Sequence, residues 1–264
     1  RGGSWEVISG DLSRQLDRNT LPIMDRYWGP EAIALHKSTS IYGNIVTLRE
    51  HPNNSGELWA GTDDGLVWKT SDDGKNWSSI KNFSELPKTK VGSLSLPLVY
   101  VQDLVLSAHK ENVVYAVFNN HKNGDFKPYI YKSTNGGKNW ASIASDLPER
   151  GTVYSLVEDP INPDLLFAGT EFGMFFTLDG GEHWAQLKGG LPTIAVKDIA
   201  IQERENDLVI ATFGRGFYVL DNYSPLRELE YVLDQDAAFF STKPGLLFQR
   251  ANVGGIDYKG SQHY

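Results

Sequence analysis

Short apolar runs, punctuated by glycine, asparagine, aspartate and proline, recur along the chain. Ile45-Val-Thr-Leu-Arg-Glu-His-Pro52 leads to Leu58-Trp-Ala-Gly-Thr62 and then to Gly65-Leu-Val-Trp-Lys-Thr70. The same succession returns as Val153-Tyr-Ser-Leu-Val-Glu-Asp-Pro160, Leu166-Phe-Ala-Gly-Thr170 and Gly173-Met-Phe-Phe-Thr177. A third version reads Val196-Lys-Asp-Ile-Ala-Ile201, Leu208-Val-Ile-Ala-Thr212 and Gly216-Phe-Tyr-Val-Leu220. Runs of this length, rich in β-branched and aromatic residues and bounded by turn formers, predict strands. No stretch sustains a helical period; residues 29–40 come nearest and are short.

Between the third and fourth predicted strands of a unit lies a fixed motif, Ser/Thr-x-Asp/Asn-x-Gly-x-x-Trp, called the box below. Its copies are Thr70-Ser-Asp-Asp-Gly-Lys-Asn-Trp77, Ser133-Thr-Asn-Gly-Gly-Lys-Asn-Trp140 and Thr177-Leu-Asp-Gly-Gly-Glu-His-Trp184. The tryptophans are 63 residues apart (140 minus 77) and then 44 apart (184 minus 140), and an insertion at Asn119–Phe126 accounts for the longer gap. Asp72, Asn135 and Asp179 are suited to accept turn N–H groups, as Asx turns do. Gly74, Gly137 and Gly181 supply the positive φ of a tight hairpin. Trp77, Trp140 and Trp184 then open the outer strand and are expected to be buried between units.

Four short strands in a unit of about 40 to 50 residues is the period of a propeller blade. The prediction is therefore an all-β fold: a β-propeller of four-stranded antiparallel blades, with about four blades present as part of a larger propeller. The propeller segment covers residues 1–224, with blades near 44–86, 100–147, 152–192 and 196–222, and the fourth unit lacks a box. Residues 3–8 are expected to be the last strand of an earlier blade, because Gly2 and Trp5 repeat the Gly-x-x-Trp spacing of the box. That spacing would leave Arg1 inside a turn, so the chain is expected to be a fragment. Residues 225–264 are expected to be an exit linker and the start of a following β segment, in which Gly245-Leu-Leu-Phe-Gln249 is strand-like.

Composition narrows the chemistry. The formal net charge of -8 and the scattered basic residues argue against nucleic acid, which needs clustered Lys and Arg. No apolar stretch reaches the length of a membrane span. With no cysteine and six dispersed histidines, neither a thiolate site nor a metal site is expected, and no cofactor is implied.

The boxes, with Gly61-Thr-Asp-Asp-Gly65, Pro128-Tyr-Ile-Tyr-Lys132, Gly169-Thr-Glu171 and Ala211-Thr-Phe-Gly-Arg-Gly-Phe-Tyr-Val-Leu-Asp221, resemble the Asp-box (bacterial neuraminidase repeat) propellers. Within that group the chain is most similar to bacterial sortilin-like repeat proteins, over about residues 1–250. The resemblance implies a periplasmic, secreted or cell-surface protein. It does not choose an activity, since the repeat serves sialidases, xyloglucanases, sorting receptors and assembly factors.

Strands alternate in direction within a blade, so the boxes share one face and ligands are expected at the other. That opposite face receives Asp63, Asp64, Glu171 and Arg215 from loops, and Gln102, Asp103, Lys197 and Asp198 from the starts of inner strands. Two long links, 82–98 and 9–43, add Tyr27, Trp28 and His36 as rim candidates. The leading expectation is a non-catalytic binding or scaffold propeller, recognising a protein, peptide or glycan at this face. A place among the subunits of a surface assembly is a further expectation. The alternative is a glycoside hydrolase, whose paired carboxylates would come from Asp63, Asp64 and Glu171. In a xyloglucanase-like cleft Tyr27, Trp28 and Tyr100 would be sugar platforms. A sialidase site would want several converging arginines, and Arg215 alone is placed for that.

Overall fold

The computed structural model describes residues 3–21, 26–29, 31–32, 42–83, 85–91 and 93–245. The first sheet contains β1 (Ile45–Glu50), β2 (Leu58–Thr62), β3 (Val67–Thr70) and β4 (Ser78–Ile80). A hairpin, β5 (Thr89–Val91) with β6 (Leu94–Leu96), stands in the link that follows. The second sheet is β7 (Tyr100–Leu106), β8 (Val114–Asn119), β9 (Tyr129–Ser133) and β10 (Ala141–Ser142). The third is β11 (Val153–Glu158), β12 (Leu166–Thr170), β13 (Gly173–Thr177) and β14 (Ala185–Leu187). The fourth has β15 (Val196–Gln202), β16 (Asp207–Thr212) and β17 (Phe217–Leu220). Every ladder is antiparallel and follows chain order, and no α-helix occurs among the described residues. These are propeller blades.

The box turns are built alike. In each, the first hydroxyl donates to the box Asp or Asn: Thr70 to Asp72 at 2.8 Å, Ser133 to Asn135 at 3.1 Å, Thr177 to Asp179 at 2.6 Å. The same hydroxyl accepts the N–H of Gly74, Gly137 or Gly181 at 2.9 to 3.1 Å. Those glycines have φ of 86°, 84° and 105°, where a side chain would be strained. They also crowd the segment that precedes their blade: a Cβ on Gly74 or Gly181 would meet the Cβ of Ile8 or Ile143 at 2.8 Å, and one on Gly137 would meet Ile80 at 3.3 Å.

Each neighbouring pair of blades encloses its own apolar cluster. Trp59, Val67, Val101, Leu104 and Phe118 fill the first; Tyr115, Ile130, Leu156, Phe175 and Trp184 fill the second. Phe167, Met174, Phe176, Val196 and Ile210 fill the third. Of the box tryptophans only Trp184 is buried, whereas Trp77 and Trp140 are half-buried. The expectation of burial is corrected for those two. Trp140 stacks on Phe83, with centroids 4.6 Å apart, and Trp77 donates to the Ile8 carbonyl at 2.9 Å at the open front of the first blade.

Residues 3–8 have no strand partner among the described residues. The segment that follows β17 packs back on the blades as a clamp. Tyr223, 1% exposed, joins the third cluster, and short 3-10 turns at Ser224–Arg227 and Leu229–Tyr231 lay Leu226 and Leu229 on it. Arg227 reaches back to Asp159, which is fully buried, through bonds of 2.7 to 3.0 Å, and the Tyr223 hydroxyl donates to the same carboxylate at 2.7 Å. Residues 246–264, including most of the predicted strand at 245–249, lie outside the described residues.

Candidate functional site

All four inner strands carry a register shift at the same place, between Ile45 and Thr47, Val101 and Asp103, Val153 and Ser155, and Val196 and Asp198. An extra residue in one strand turns its side chain out of the alternation. The extra residues are Val46, Gln102, Tyr154 and Lys197, at the ends of the inner strands away from the boxes. Beside them, at one repeating position at the end of the second strand of each blade, stand Asn119, the last residue of β8, and Asp63, Glu171 and Phe213, each one residue past its strand.

In three blades these two positions touch. Asn119 donates to Gln102 at 3.3 Å, the Tyr154 hydroxyl donates to Glu171, and the Lys197 ammonium lies near the Phe213 ring, 5.6 Å from its centroid. The steps join, because Lys197 also sits 3.2 Å from the centroid of Tyr154. His121 and Lys122, from the insertion after β8, complete the row. Lys122 lies 5.4 Å from the Tyr100 ring and 5.9 Å from Tyr42. Burial lowers the pKa of His121, and repulsion from Lys122 and Lys197 lowers it further. Burial likewise lowers that of Lys197, with Glu171 opposing, and it raises that of Tyr154, helped by the hydrogen bond to Glu171. The row is partly dry, mixed in charge and aromatic, with Phe172 and Phe213 exposed at 44% and 72%.

Of the residues predicted for this face, Gln102, Glu171 and Lys197 take part in the row. Asp63 and Asp64 do not. They are 3% and 0% exposed, with Asp63 accepting the N–H groups of Gly43 and Asn44 at 2.8 and 2.9 Å, and the Asp64 carboxylate accepting the backbone N–H of Arg14 and the Thr62 hydroxyl. Asp103 is buried and held by Arg49 at 2.8 Å; burial still raises its pKa, against the pull of that guanidinium. Asp198 is exposed but accepts from Ile199 N at 2.9 Å and the Ser155 hydroxyl at 3.4 Å. Arg215 is exposed at the β16–β17 turn. Tyr27 and Trp28 are exposed at 62% and 41%, with the Arg26 guanidinium over Trp28, and His36 lies outside the described residues. Tyr154, Phe213, Asn119, His121 and Lys122 were missed. The bulge that exposes Tyr154 has no local sequence mark, but the shared position of Asp63, Glu171 and Phe213 after a threonine could have been read.

Further down, the inner strands line a cavity of about 410 Å³ that includes Arg49, Leu104, Leu156 and Ile201. On the box face, Asp179, Glu182 and His183 come together with metal-ligand atoms. Their contacts are those of a box turn: His183 meets the Asp179 carboxylate at 2.8 Å, as the Asn76 amide meets Asp72 at 2.7 Å. No helix among the described residues is long and apolar enough to cross a membrane.

No family model matches the chain, and no curated protein does. Among solved structures it is similar to an ancestral GH74 enzyme, at 15% identity and a TM-score of 0.51, with 69% of this chain aligned to 23% of that one. The GH74 enzyme of Niastella koreensis matches at 15% identity and a TM-score of 0.53, over 69% of this chain and 29% of that one. An auxiliary nutrient binding protein of Bacteroides thetaiotaomicron matches at 14% identity and 0.48, over 68% and 39%. The chain thus spans about a quarter of the length of the first two, and the likeness is one of fold.

Proposed function

We propose that this chain is a non-catalytic binding propeller of the Asp-box group, of the sortilin-like kind and from an exported bacterial protein. It takes a protein, peptide or glycan ligand at the face opposite the boxes. One observation carries the reading: on that face three blades present joined side-chain pairs that differ from blade to blade, Gln102 with Asn119, Tyr154 with Glu171, and Lys197 with Phe213. Exposed aromatic surface beside hydrogen-bonding groups suits both sugar rings and peptide side chains.

The hydrolase reading needs two carboxyl groups free to act about 5 to 9.5 Å apart. Here Asp63 and Asp64 are buried acceptors of backbone N–H groups, and Glu171 is engaged by the Tyr154 hydroxyl. Those contacts favour binding without turnover.

The test is a peptide and glycan array probed with the wild type and with Lys197→Ala and Phe213→Ala. A signal of the wild type that both variants lose is expected. Equal signals from all three would place the ligand elsewhere. Release of reducing ends from xyloglucan oligosaccharides, abolished by Glu171→Gln, would overturn the non-catalytic reading.

A further inference from the structure

Two lysines on the face opposite the boxes rest against aromatic rings without a carboxylate to complete them. The Lys197 ammonium lies 3.2 Å from the centroid of Tyr154 and 5.6 Å from that of Phe213. The Lys122 ammonium lies 5.4 Å from the centroid of Tyr100 and 5.9 Å from that of Tyr42. Neither ammonium makes an ion pair among the described residues. Glu171, whose charge Lys197 feels, is already held by the Tyr154 hydroxyl. Lys69 shows the completed arrangement in the first blade. Its ammonium lies 5.1 Å from the centroid of Trp59 and also meets the Glu57 carboxylate at 2.9 Å.

His121 links the two lysines. The charged groups that face it are Lys122 on its own turn, Lys197 from β15 and Glu171 from the turn after β12. Its Nδ1 donates to the Asn119 side-chain oxygen, which leaves Nε2 to gain or lose the proton. The surroundings are apolar. Phe126 and Phe172 are both 44% exposed; Phe172 follows Glu171, and the Phe126 carbonyl accepts the Thr152 hydroxyl at 3.2 Å beside the start of β11. The neutral polar groups are spent, since Asn119 donates to Gln102 at 3.3 Å. Phenylalanine rings offer an apolar face and no hydrogen bond, which suits apolar side chains better than the hydroxyls of a sugar.

Resting on the binding reading above, we infer that the ligand of this face is an acidic peptide segment, its side-chain carboxylate taken among Lys122, Lys197 and His121 and its apolar side chains on Phe126, Phe172 and Phe213. The carboxylate does for Lys197 what Glu57 does for Lys69. Lys197 is half-buried, so a carboxylate beside it acts through less water than at an open surface and is worth more. The same charge bears on His121. Burial lowers its pKa, and Lys122 and Lys197 lower it further, while Glu171 opposes only in part. An incoming carboxylate offsets the two ammonium groups and raises that pKa. The complex therefore binds a proton more readily than the free protein, and the peptide is held tighter as pH falls through the titration of His121.

The test uses a bead library of short peptides built from Glu, Leu, Phe and Gly, blocked at both ends so that only side chains carry charge. A twin library has Gln in place of Glu, and oligogalacturonate beads supply a carboxylate on sugar. The wild type should select the acidic peptides at least about tenfold over the twin. Lys197→Gln should weaken that binding about tenfold, and Lys122→Gln, at an exposed position, about threefold. Lys110→Gln, exposed at the box end of the second blade, should change nothing. Between about pH 7.5 and 5.5, where Glu stays ionised, wild-type binding should tighten about threefold, whereas His121→Gln should bind alike at both. Equal selection of the twin, equal losses at Lys110 and Lys122, or a wild type that ignores every bead overturns the inference. If the twin or the oligogalacturonate is preferred, and that binding still needs Lys197 and Phe213, the acidic peptide falls while the binding reading stands.

Discussion

The two faces of this propeller treat equivalent positions in opposite ways. On the box face Thr70, Ser133 and Thr177 make the same pair of hydrogen bonds in three blades. On the other face one repeating position is filled by two carboxylates, Asp63 and Glu171, an amide, Asn119, and an aromatic ring, Phe213. Where the fold needs a particular set of donors and acceptors, each blade must supply it, and the residues repeat. Where backbone pairing is complete without the side chain, blades are free to diverge, and a ligand can be met by a different group from each.

Four substitutions test that contrast, in falling order of expected effect. The largest concerns the clamp at the box end of the third blade. Asp159→Ala would leave the Arg227 guanidinium without its buried partner, and urea unfolding should show a loss of about 3–5 kcal/mol. The clamp also has a pH signature. Burial disfavours the Asp159 carboxylate, but bonds from Arg227 and Tyr223 outweigh it and hold its pKa below the ordinary value. Its contribution is therefore full above about pH 4, the unfolded value, and is lost as pH falls through the lowered folded one. The variant should have a flatter acid limb than the wild type.

Next, Thr177→Val removes the hydroxyl that serves both Asp179 and Gly181, for an expected cost of about 1–3 kcal/mol, read as a lower urea midpoint. Phe213→Ala, on the divergent face, should stay within about 0.5 kcal/mol of the wild type while abolishing array binding. A cost equal to that of Thr177→Val would break the comparison, since Phe213 would then be structural. The smallest effect is expected at Asp72→Asn. Asn135 already fills this role in the second blade, accepting the Asn139 N–H at 2.9 Å as Asp72 accepts that of Asn76. Thermal unfolding should not move. The proton-dependent part should change, because bonds from the Asn76 side chain and backbone hold the Asp72 pKa down at about 2, and an amide does not titrate.

A second contrast is that between the third and fourth blades. Met174 and Phe217 occupy the same register, yet one is buried and the other bare. Their local sequences, Gly-Met-Phe-Phe and Gly-Phe-Tyr-Val, are both fit for a covered strand. What separates them is the sheet that follows.

Strand positions, the box turns and the blade repeat were legible in the sequence because each rests on neighbours a few residues apart. Alternation, turn glycines and the Gly-x-x-Trp spacing are local signals, so the periodic units at Leu58–Thr62 and Leu166–Thr170 could be aligned by inspection. The tertiary structure decided which polar groups are spent. Asp63 and Asp64 read as loop residues of the face opposite the boxes, but Gly43, Asn44 and Arg14, about 20 to 50 positions away, turn both carboxylates inward. Tyr154 and Lys197 reach the row opposite the boxes because inner-strand bulges re-aim them, and a bulge depends on pairing rather than composition. A strand's identity is written along the chain, whereas the availability of its side chains is set by whichever distant strand packs beside it.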